Sequence, residues 1–157
     1  AAHRLRRNLE SVMSDLAQSL RAQVPYRPEG NPARGELLSA VKGKHGKLLK
    51  QAASSANSWN LQARKDDVDR LKAARSAAVL AQESEQWAVN AAVHFNEWAT
   101  FSKSDFRPVV DAWKQFLSLF QCGNADCGSW VYVAGPPAKE ESIRCSCGTF
   151  DVNLLTK

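Results

Sequence analysis

The sequence predicts a mostly α-helical fold, a bundle of four or five helices with one long member, followed by a small C-terminal β module. Apolar residues recur every three or four positions over much of the first 121 residues, which is the period of a helix buried on one side. After that point, short runs of β-branched and aromatic residues alternate with glycines and prolines. A chain of 157 residues, 44% of them hydrophobic, is long enough to bury such a core.

The first two predicted helices lie on either side of a loop with three prolines and two glycines. The first helix covers 3–24 and ends before Pro25, because the residue preceding a proline avoids the helical conformation. The second covers about 36–53. Gly43 and Gly46 inside it each cost about 1 kcal/mol relative to alanine. Two short helices are therefore an alternative to one continuous helix.

The longest predicted helix covers 62–101, a stretch without proline or glycine. As one helix it would be about 60 Å long, at about 1.5 Å per residue. Its apolar pattern changes near 82–86, so a break there is an alternative. The last helix is predicted to begin near residue 104, with Pro108 in its first turn, and to end near residue 121.

The β module is predicted to contain three short strands, at 130–133, 142–146 and 149–155. A Gly-Pro-Pro turn follows the first of them. We therefore divide the chain into an all-α domain, 1–121, and a β module, 122–157.

All four cysteines of the chain lie in the β module, in the pattern Cys122-x4-Cys127-x17-Cys145-x-Cys147. Zn²⁺ prefers four soft ligands at tetrahedral corners. Core burial alone cannot stabilise a β unit of about 36 residues, so we expect a bound metal to stabilise it. Glycine follows three of the cysteines and permits tight turns in which backbone N–H groups approach a thiolate. We predict a structural Zn²⁺ bound by these four residues.

The segment 122–157 resembles a zinc ribbon, in which two cysteine turns on β-hairpins clamp one Zn²⁺. Its first turn is longer, and its second shorter, than the C-x2-C turns usual in that family. The resemblance implies a structural ion, since protein ligands would fill all four positions. Two disulfides and an iron–sulfur cluster are the alternatives. Cysteines confined to one short stretch are more typical of a metal site than of a secreted disulfide framework, which predicts a reducing, cytoplasmic location.

The net charge of +5 is unevenly distributed along the chain. Residues 1–75 contain 15 Lys/Arg and 7 Asp/Glu, whereas residues 76–157 contain 6 and 9. Zinc ribbons often contact nucleic acid, but this one is acidic, and binding to phosphates requires a positive surface. The predicted DNA- or RNA-binding surface therefore lies on the helical half, and its residues are Arg27, Arg34, Lys42, Lys44, His45, Lys47 and Lys50. The alternative is that these lysines form only the solvated face of a helix.

No catalytic constellation stands out in the sequence. The glycine-lysine string at 43–47 differs from a phosphate-binding P-loop, which has four residues between its glycines and a Ser or Thr after the lysine. His94 has Glu97 one turn away, but aromatic residues surround it in the helical pattern, as is typical of a packed structural histidine. The sequence therefore predicts a protein that is not an enzyme.

These observations predict a non-enzymatic zinc-binding domain, the C-terminal part of a larger protein, that contacts nucleic acid through its basic helical half. The alternative is a protein-interaction or assembly module of a larger multi-domain machine, with the zinc ribbon as the surface that docks other domains or subunits. Trp59 lies in a polar stretch and is a candidate for a partner surface. The chain has no run of 18 apolar residues, so we expect no membrane partner.

Overall fold

The structure is a computed structural model that describes residues 2–26, 28, 30, 32–94 and 103–157; of residues 2, 3, 6, 86–94, 103 and 105 it describes the backbone alone. Within these residues the chain forms four helices and one antiparallel three-stranded sheet. The elements in chain order are α1 (Ala2–Ser19), α2 (Arg34–Ser58), α3 (Gln62–His94), α4 (Lys103–Ser118), β1 (Tyr132–Ala134), β2 (Ser142–Arg144) and β3 (Asp151–Asn153). The predicted fold class, a helical bundle followed by a small β module, is confirmed.

One hydrophobic core is shared by the helices and the sheet. Helix α2 packs against both α1 and α3, and α3 packs against α4, while the sheet contacts α1 through β1 and α2 through β3. The buried residues of this core include Leu9, Met13, Leu16, Leu38, Val41, Leu48, Val68, Val109, Trp113, Phe116, Phe120, Val133, Ile143 and Leu154. The division at 121/122 stays a prediction, and the β module buries its apolar face against the helices.

Helix α1 ends at Ser19, earlier than predicted, because Arg21 adopts a left-handed conformation with φ 56°. The N–H of Arg21 donates to the carbonyl of Gln18 at 3.0 Å, and the N–H of Ala22 donates to that of Ala17 at 2.8 Å. This pair of bonds is the Schellman motif, which satisfies the last carbonyls of a helix and turns the chain away from it.

Arg21 also joins the end of α1 to the sheet. Its guanidinium donates to the carbonyls of Gly135 and Pro136, in the turn between β1 and β2, at 2.6 and 2.9 Å. Gly135 has φ 110°, and a Cβ there would clash with the backbone of the same turn, so the turn requires glycine. Lys44 of α2 forms an ion pair with Glu140. The β1–β2 turn is thus held by both α1 and α2.

Helix α2 runs unbroken through both of its glycines, so one helix forms where two were an alternative. Gly46 lies under the side chain of Arg75, whose Nη2 would be 3.1 Å from an added Cβ. The same nitrogen donates to the carbonyl of Lys42 at 2.9 Å. Close approach of an α3 side chain explains Gly46, whereas Gly43 has no such neighbour within 4 Å.

Helix α3 continues without a break through 82–86. The end of the predicted helix, 95–101, which includes Glu97, lies outside the described residues. Helix α4 begins with Lys103, and Pro108 lies beyond its first turn rather than within it. No helix in the described part of the chain is long and apolar enough to cross a membrane.

The sheet has the order β1-β2-β3, with Ile143 paired to Val133 on one side and to Val152 on the other. Ile143 and Val133 are buried and face the helices. Side chains alternate between the faces of a strand, so Ser142 and Arg144 share the opposite face. This second face lies towards α2, because Asn153, which is paired with Ser142, donates to the Oγ of Ser55 at 2.8 Å.

Candidate metal centre

Two short turns carry the four cysteines and meet at one end of the sheet. The first turn, 122–127, follows α4 and precedes β1, while the second, 145–147, joins β2 to β3. The start of β1 and the end of β2 are neighbours because the two strands are antiparallel. An antiparallel bridge between Gln121 and Trp130 closes the base of the first turn. The sheet topology therefore brings together two pairs of cysteines that are distant in the sequence.

The four predicted ligands, Cys122, Cys127, Cys145 and Cys147, have Sγ atoms that all lie within 4.8 Å of one another. The Sγ of Cys147 is 3.6 Å from that of Cys122 and 3.4 Å from that of Cys145. Four sulfurs bound tetrahedrally at about 2.3 Å would be about 3.8 Å apart. The arrangement fits a single ion held by four thiolates.

This geometry bears on the two alternatives for the cysteines. All four cysteines are unbridged, and the sulfur–sulfur distances of 3.6 and 3.4 Å far exceed the roughly 2.05 Å of a disulfide. In an iron–sulfur cluster the thiolates are shared among two or four irons, which separates the sulfurs more than one ion does. The compact set therefore favours one ion over both alternatives.

Hydrogen-bond donors from both turns point at the sulfurs. The backbone N–H of Asn124 lies 3.4 Å from the Sγ of Cys122, and that of Phe150 lies 3.2 Å from the Sγ of Cys145. The side-chain amide of Asn124 also approaches the Sγ of Cys147, at 3.8 Å. Such donors stabilise the thiolate form, which is the form that binds a metal.

The last cysteine of each turn begins the same kind of tripeptide, Cys-Gly-Ser at 127–129 and Cys-Gly-Thr at 147–149. The glycine of each tripeptide is left-handed, with φ 54° and 77°. This bend places the hydroxyls of Ser129 and Thr149 3.0 and 3.1 Å from the sulfur of the cysteine two positions earlier. Sequence reasoning missed both hydroxyls, and the repeated Cys-Gly-Ser/Thr pattern is the signal that would have found them.

Ser129 additionally connects the two turns. Its Oγ accepts a hydrogen bond from the backbone N–H of Ser146 at 3.2 Å. A hydroxyl has one donor and two acceptor positions, so its O–H remains available to the thiolate of Cys127. Ser129 thus orients a ligand of the first turn against the backbone of the second.

The cysteine thiols differ in pKa. The hydroxyl and backbone N–H of Ser129 lower the pKa of Cys127, and those of Thr149 lower the pKa of Cys147. The N–H of Asn124 lowers the pKa of Cys122, but burial and the neighbouring thiols outweigh it and raise that pKa to about 12. Four thiolates at this spacing need a cation to ionise together, because like charges in one site disfavour each other.

The coordination that the site offers is closed. Cys122 and Cys145 are buried, while Cys147 is exposed at the surface of the module. Four protein ligands fill a tetrahedral ion and leave no position for water or substrate. Chemically, the site can hold a metal and fasten two turns to each other.

The predicted basic surface looks different in the structure. Lys42 forms an ion pair with Glu83 of α3 at 3.1 Å, and Lys44 pairs with Glu140. Both lysine side chains are largely covered. Their charges are therefore engaged within the molecule, where they hold α2 to α3 and to the β1–β2 turn.

His45 does not belong to a phosphate-binding surface, which corrects the prediction for this residue. It is 6% exposed, and its ring centroid lies 4.8 Å from that of Phe120. Burial and the nearby charge of Arg75 lower the pKa of His45 to about 4, so the imidazole is neutral at pH 7. Its position on α2 places it on the core face.

The remaining residues of the predicted surface are dispersed. Lys47 and Lys50 are exposed on α2, one turn apart. Arg34 is half-buried at the start of the same helix. Arg27 lies outside the described residues.

No protein-family model matches this chain, and no significant match was found among curated proteins or solved structures.

Proposed function

We propose that the protein is a non-enzymatic interaction module whose C-terminal sheet is held by a structural Zn²⁺ in a zinc-ribbon-like site. The observation that carries this proposal is the approach of four cysteine sulfurs to within 4.8 Å, on two turns with thiolate-stabilising donors. We assign zinc because a closed tetrahedral site of four thiolates is typical of structural zinc. The ribbon assignment is supported by two cysteine turns adjoining antiparallel strands.

Metal analysis of the purified chain tests the zinc assignment. We expect about one zinc per chain, retained through gel filtration and lost on unfolding in the presence of a chelator. Cys145→Ser should abolish stoichiometric binding, whereas Ser146→Ala, which alters an exposed side chain between two ligands, should retain it. Stoichiometric iron, or protein with neither metal nor titratable thiols after unfolding, would refute a zinc site.

A protein partner is favoured over nucleic acid by the ion pairs of Lys42 and Lys44. Both charges are neutralised by carboxylates, which removes them from a positive surface. The zinc-bound sheet would then serve as the docking surface of a larger assembly. Because a saturated site cannot activate water, the metal would act by fixing structure rather than by catalysis.

Nucleic-acid binding is the second candidate, favoured by Lys47 and Lys50, which are exposed on one face of α2. Its test is the affinity for DNA and RNA oligonucleotides as a function of salt concentration. If these lysines contact phosphates, the double variant Lys47→Glu/Lys50→Glu should lower the salt slope by about 2, and Lys114→Glu should not. Undetectable binding at low salt would exclude this function for the purified chain.

A further inference from the structure

A groove of about 480 Å³ lies between the second half of α2, the start of α3 and the sheet. Its volume is within the range of sites that hold small ligands or peptide side chains, roughly 300–1,000 Å³. None of the four cysteines lines it, so it is separate from the metal centre.

The groove lies against one face of the sheet and reaches β3, the edge strand. Four side chains that share this face line it, two from β2 and two from β3: Ser142, Arg144, Asp151 and Asn153. The N–H of Leu154 donates to the carbonyl of Glu141, so this backbone group points towards β2. Along an antiparallel strand the direction of the backbone groups alternates from residue to residue. The N–H and C=O groups of Asp151 and Asn153 therefore point away from β2, towards the open edge. These groups can pair with an added strand.

Two large apolar side chains stand exposed at the groove. Trp59 is 43% exposed and Leu61 is 42% exposed, and both line the groove. The indole Nε1 of Trp59 donates to the carbonyl of Leu155 at 2.9 Å, which fixes the orientation of the ring. An aromatic residue held in place, with an aliphatic residue beside it, is a typical anchor site for an apolar side chain.

The groove also contains an unsatisfied polar group. Ser142 is only 3% exposed, and within the described part of the chain its Oγ has no hydrogen-bond partner. A buried hydroxyl without a partner is costly. A bound ligand that hydrogen-bonds to Ser142 would remove this cost.

Two of the carboxylates that line the groove are matched by arginines. Asp67 pairs with Arg70, and Asp151 pairs with Arg144 at 3.3 Å. Their charges are compensated locally.

Arg64, by contrast, is exposed and has no ion pair among the residues that the structure describes. The third carboxylate, that of Glu141, belongs to a side chain that packs against Gly135. Arg64 can donate hydrogen bonds to a single carboxylate. A nucleic-acid backbone requires an extended positive surface, which a lining with three carboxylates does not provide. The charges favour a peptide over a nucleic acid.

We propose that this groove binds an extended peptide of a partner protein, which adds to the open edge of β3. The peptide places an apolar side chain against Trp59 and Leu61 and an acidic side chain at Arg64. This inference rests on the proposed function as an interaction module and names the site that performs it.

A library of random peptides displayed on phage, panned against the zinc-loaded chain, tests the proposal. Enriched peptides should combine an apolar and an acidic residue. Synthetic copies should bind the wild-type chain and bind Trp59→Ala and Arg64→Glu about tenfold more weakly or worse. The matched controls are Leu80→Ala, which removes an apolar side chain exposed outside the groove, and Lys114→Glu; both should bind like wild type.

Zinc content and circular dichroism of each variant separate this test from the proposed function. A variant that keeps zinc and helicity but loses the peptide locates the site in the groove. Arg64→Glu changes only an exposed residue, so it remains informative if Trp59→Ala fails to fold. No enrichment, equal binding by both groove variants, or an oligonucleotide whose binding depends on Trp59 would each overturn the proposal, whatever the zinc content.

Discussion

At the scale of single residues, the candidate metal centre includes side chains other than its four cysteines. Ser129 hydrogen-bonds to the sulfur of Cys127 and to the backbone N–H of Ser146, so it fixes a ligand and links the two turns. Groups that orient metal ligands in this way typically change metal affinity by 10- to 100-fold when they are removed.

If the site binds zinc as proposed, Ser129→Ala is expected to weaken that binding by about 10- to 100-fold and to leave the helical content unchanged. Competition with a chromophoric chelator measures the affinity. Ser146→Ala is the control, because it retains the backbone N–H that Ser129 accepts. Equal affinities for the two variants would mean that the hydroxyl of Ser129 does not support the site.

His45 gives the molecule a dependence of stability on pH. Its pKa in the folded state is lowered to about 4 by burial and by Arg75, below the value of about 6.5 in an unfolded chain. The unfolded state then takes up the proton first as pH falls, so the stability from this residue is present above about pH 6.5 and is lost towards pH 4. Between pH 7 and pH 5, the contribution of His45 to the free energy of unfolding should fall by about 2 kcal/mol.

Urea unfolding of wild type and His45→Gln at pH 7 and pH 5 measures how much the free energy of unfolding of each protein falls between the two pH values. Acid also protonates the cysteines and releases metal, but that effect is common to both proteins and cancels in the difference. The free energy of unfolding of wild type should fall by about 2 kcal/mol more than that of the variant. An identical loss in both would show that His45 is not buried in its neutral form.

At the scale of elements, α2 shows how packing outweighs helix propensity. Two glycines three residues apart weaken an isolated helix, yet α2 is continuous because several of its side chains, among them Leu38, Val41 and Leu48, are buried in the core. The two glycines are not equivalent, since Arg75 covers Gly46 and leaves Gly43 open.

Gly43→Ala should stabilise the protein by about 0.5–1 kcal/mol, because alanine is the better helix former and the added methyl meets no atom within 4 Å. Gly46→Ala should gain less or destabilise, because its Cβ would press on the guanidinium of Arg75, which is bonded to Lys42. Thermal unfolding of the two variants provides the comparison. Equal gains would argue against the close approach of Arg75.

At the scale of the whole molecule, the helices and the sheet share one core. Phe120 of the segment after α4 and Ile143 of β2 belong to the same buried cluster as Leu16 of α1. The β1–β2 turn is also bonded to α1 through Arg21 and to α2 through Lys44. The metal centre should consequently influence the stability of the helices as well as that of the sheet.

We expect the metal-loaded chain to unfold in a single transition, with the same midpoint by far-UV circular dichroism and by tryptophan fluorescence. Chelation should lower this midpoint, because binding to the folded state alone stabilises it. Two separate transitions, with only the second unaffected by chelation, would instead show that 1–121 and 122–157 fold as independent domains.

Much of the fold and of the metal site could be predicted from local patterns. Leu9, Met13 and Leu16 recur at the period of a helix, which is enough to predict that they share its buried face. Four cysteines in one short segment are enough to predict a metal site, because thiolates are typical zinc ligands. Side chains such as Ser129 and Ser142 could not be placed, because their roles depend on which strand lies beside them. Lys44 looked like an available cation because nothing in the sequence reveals the distant Glu140.

The sequence by itself determined the fold class and the set of four cysteines, since both follow from the periodicity and chemical nature of neighbouring residues. Only the tertiary structure decided which charges remain exposed, that His45 is buried, and that Trp59 and β3 border one groove. Burial and ion pairing join residues far apart in the chain. A one-dimensional pattern indicates which face of a helix is apolar, but not what packs against the other faces.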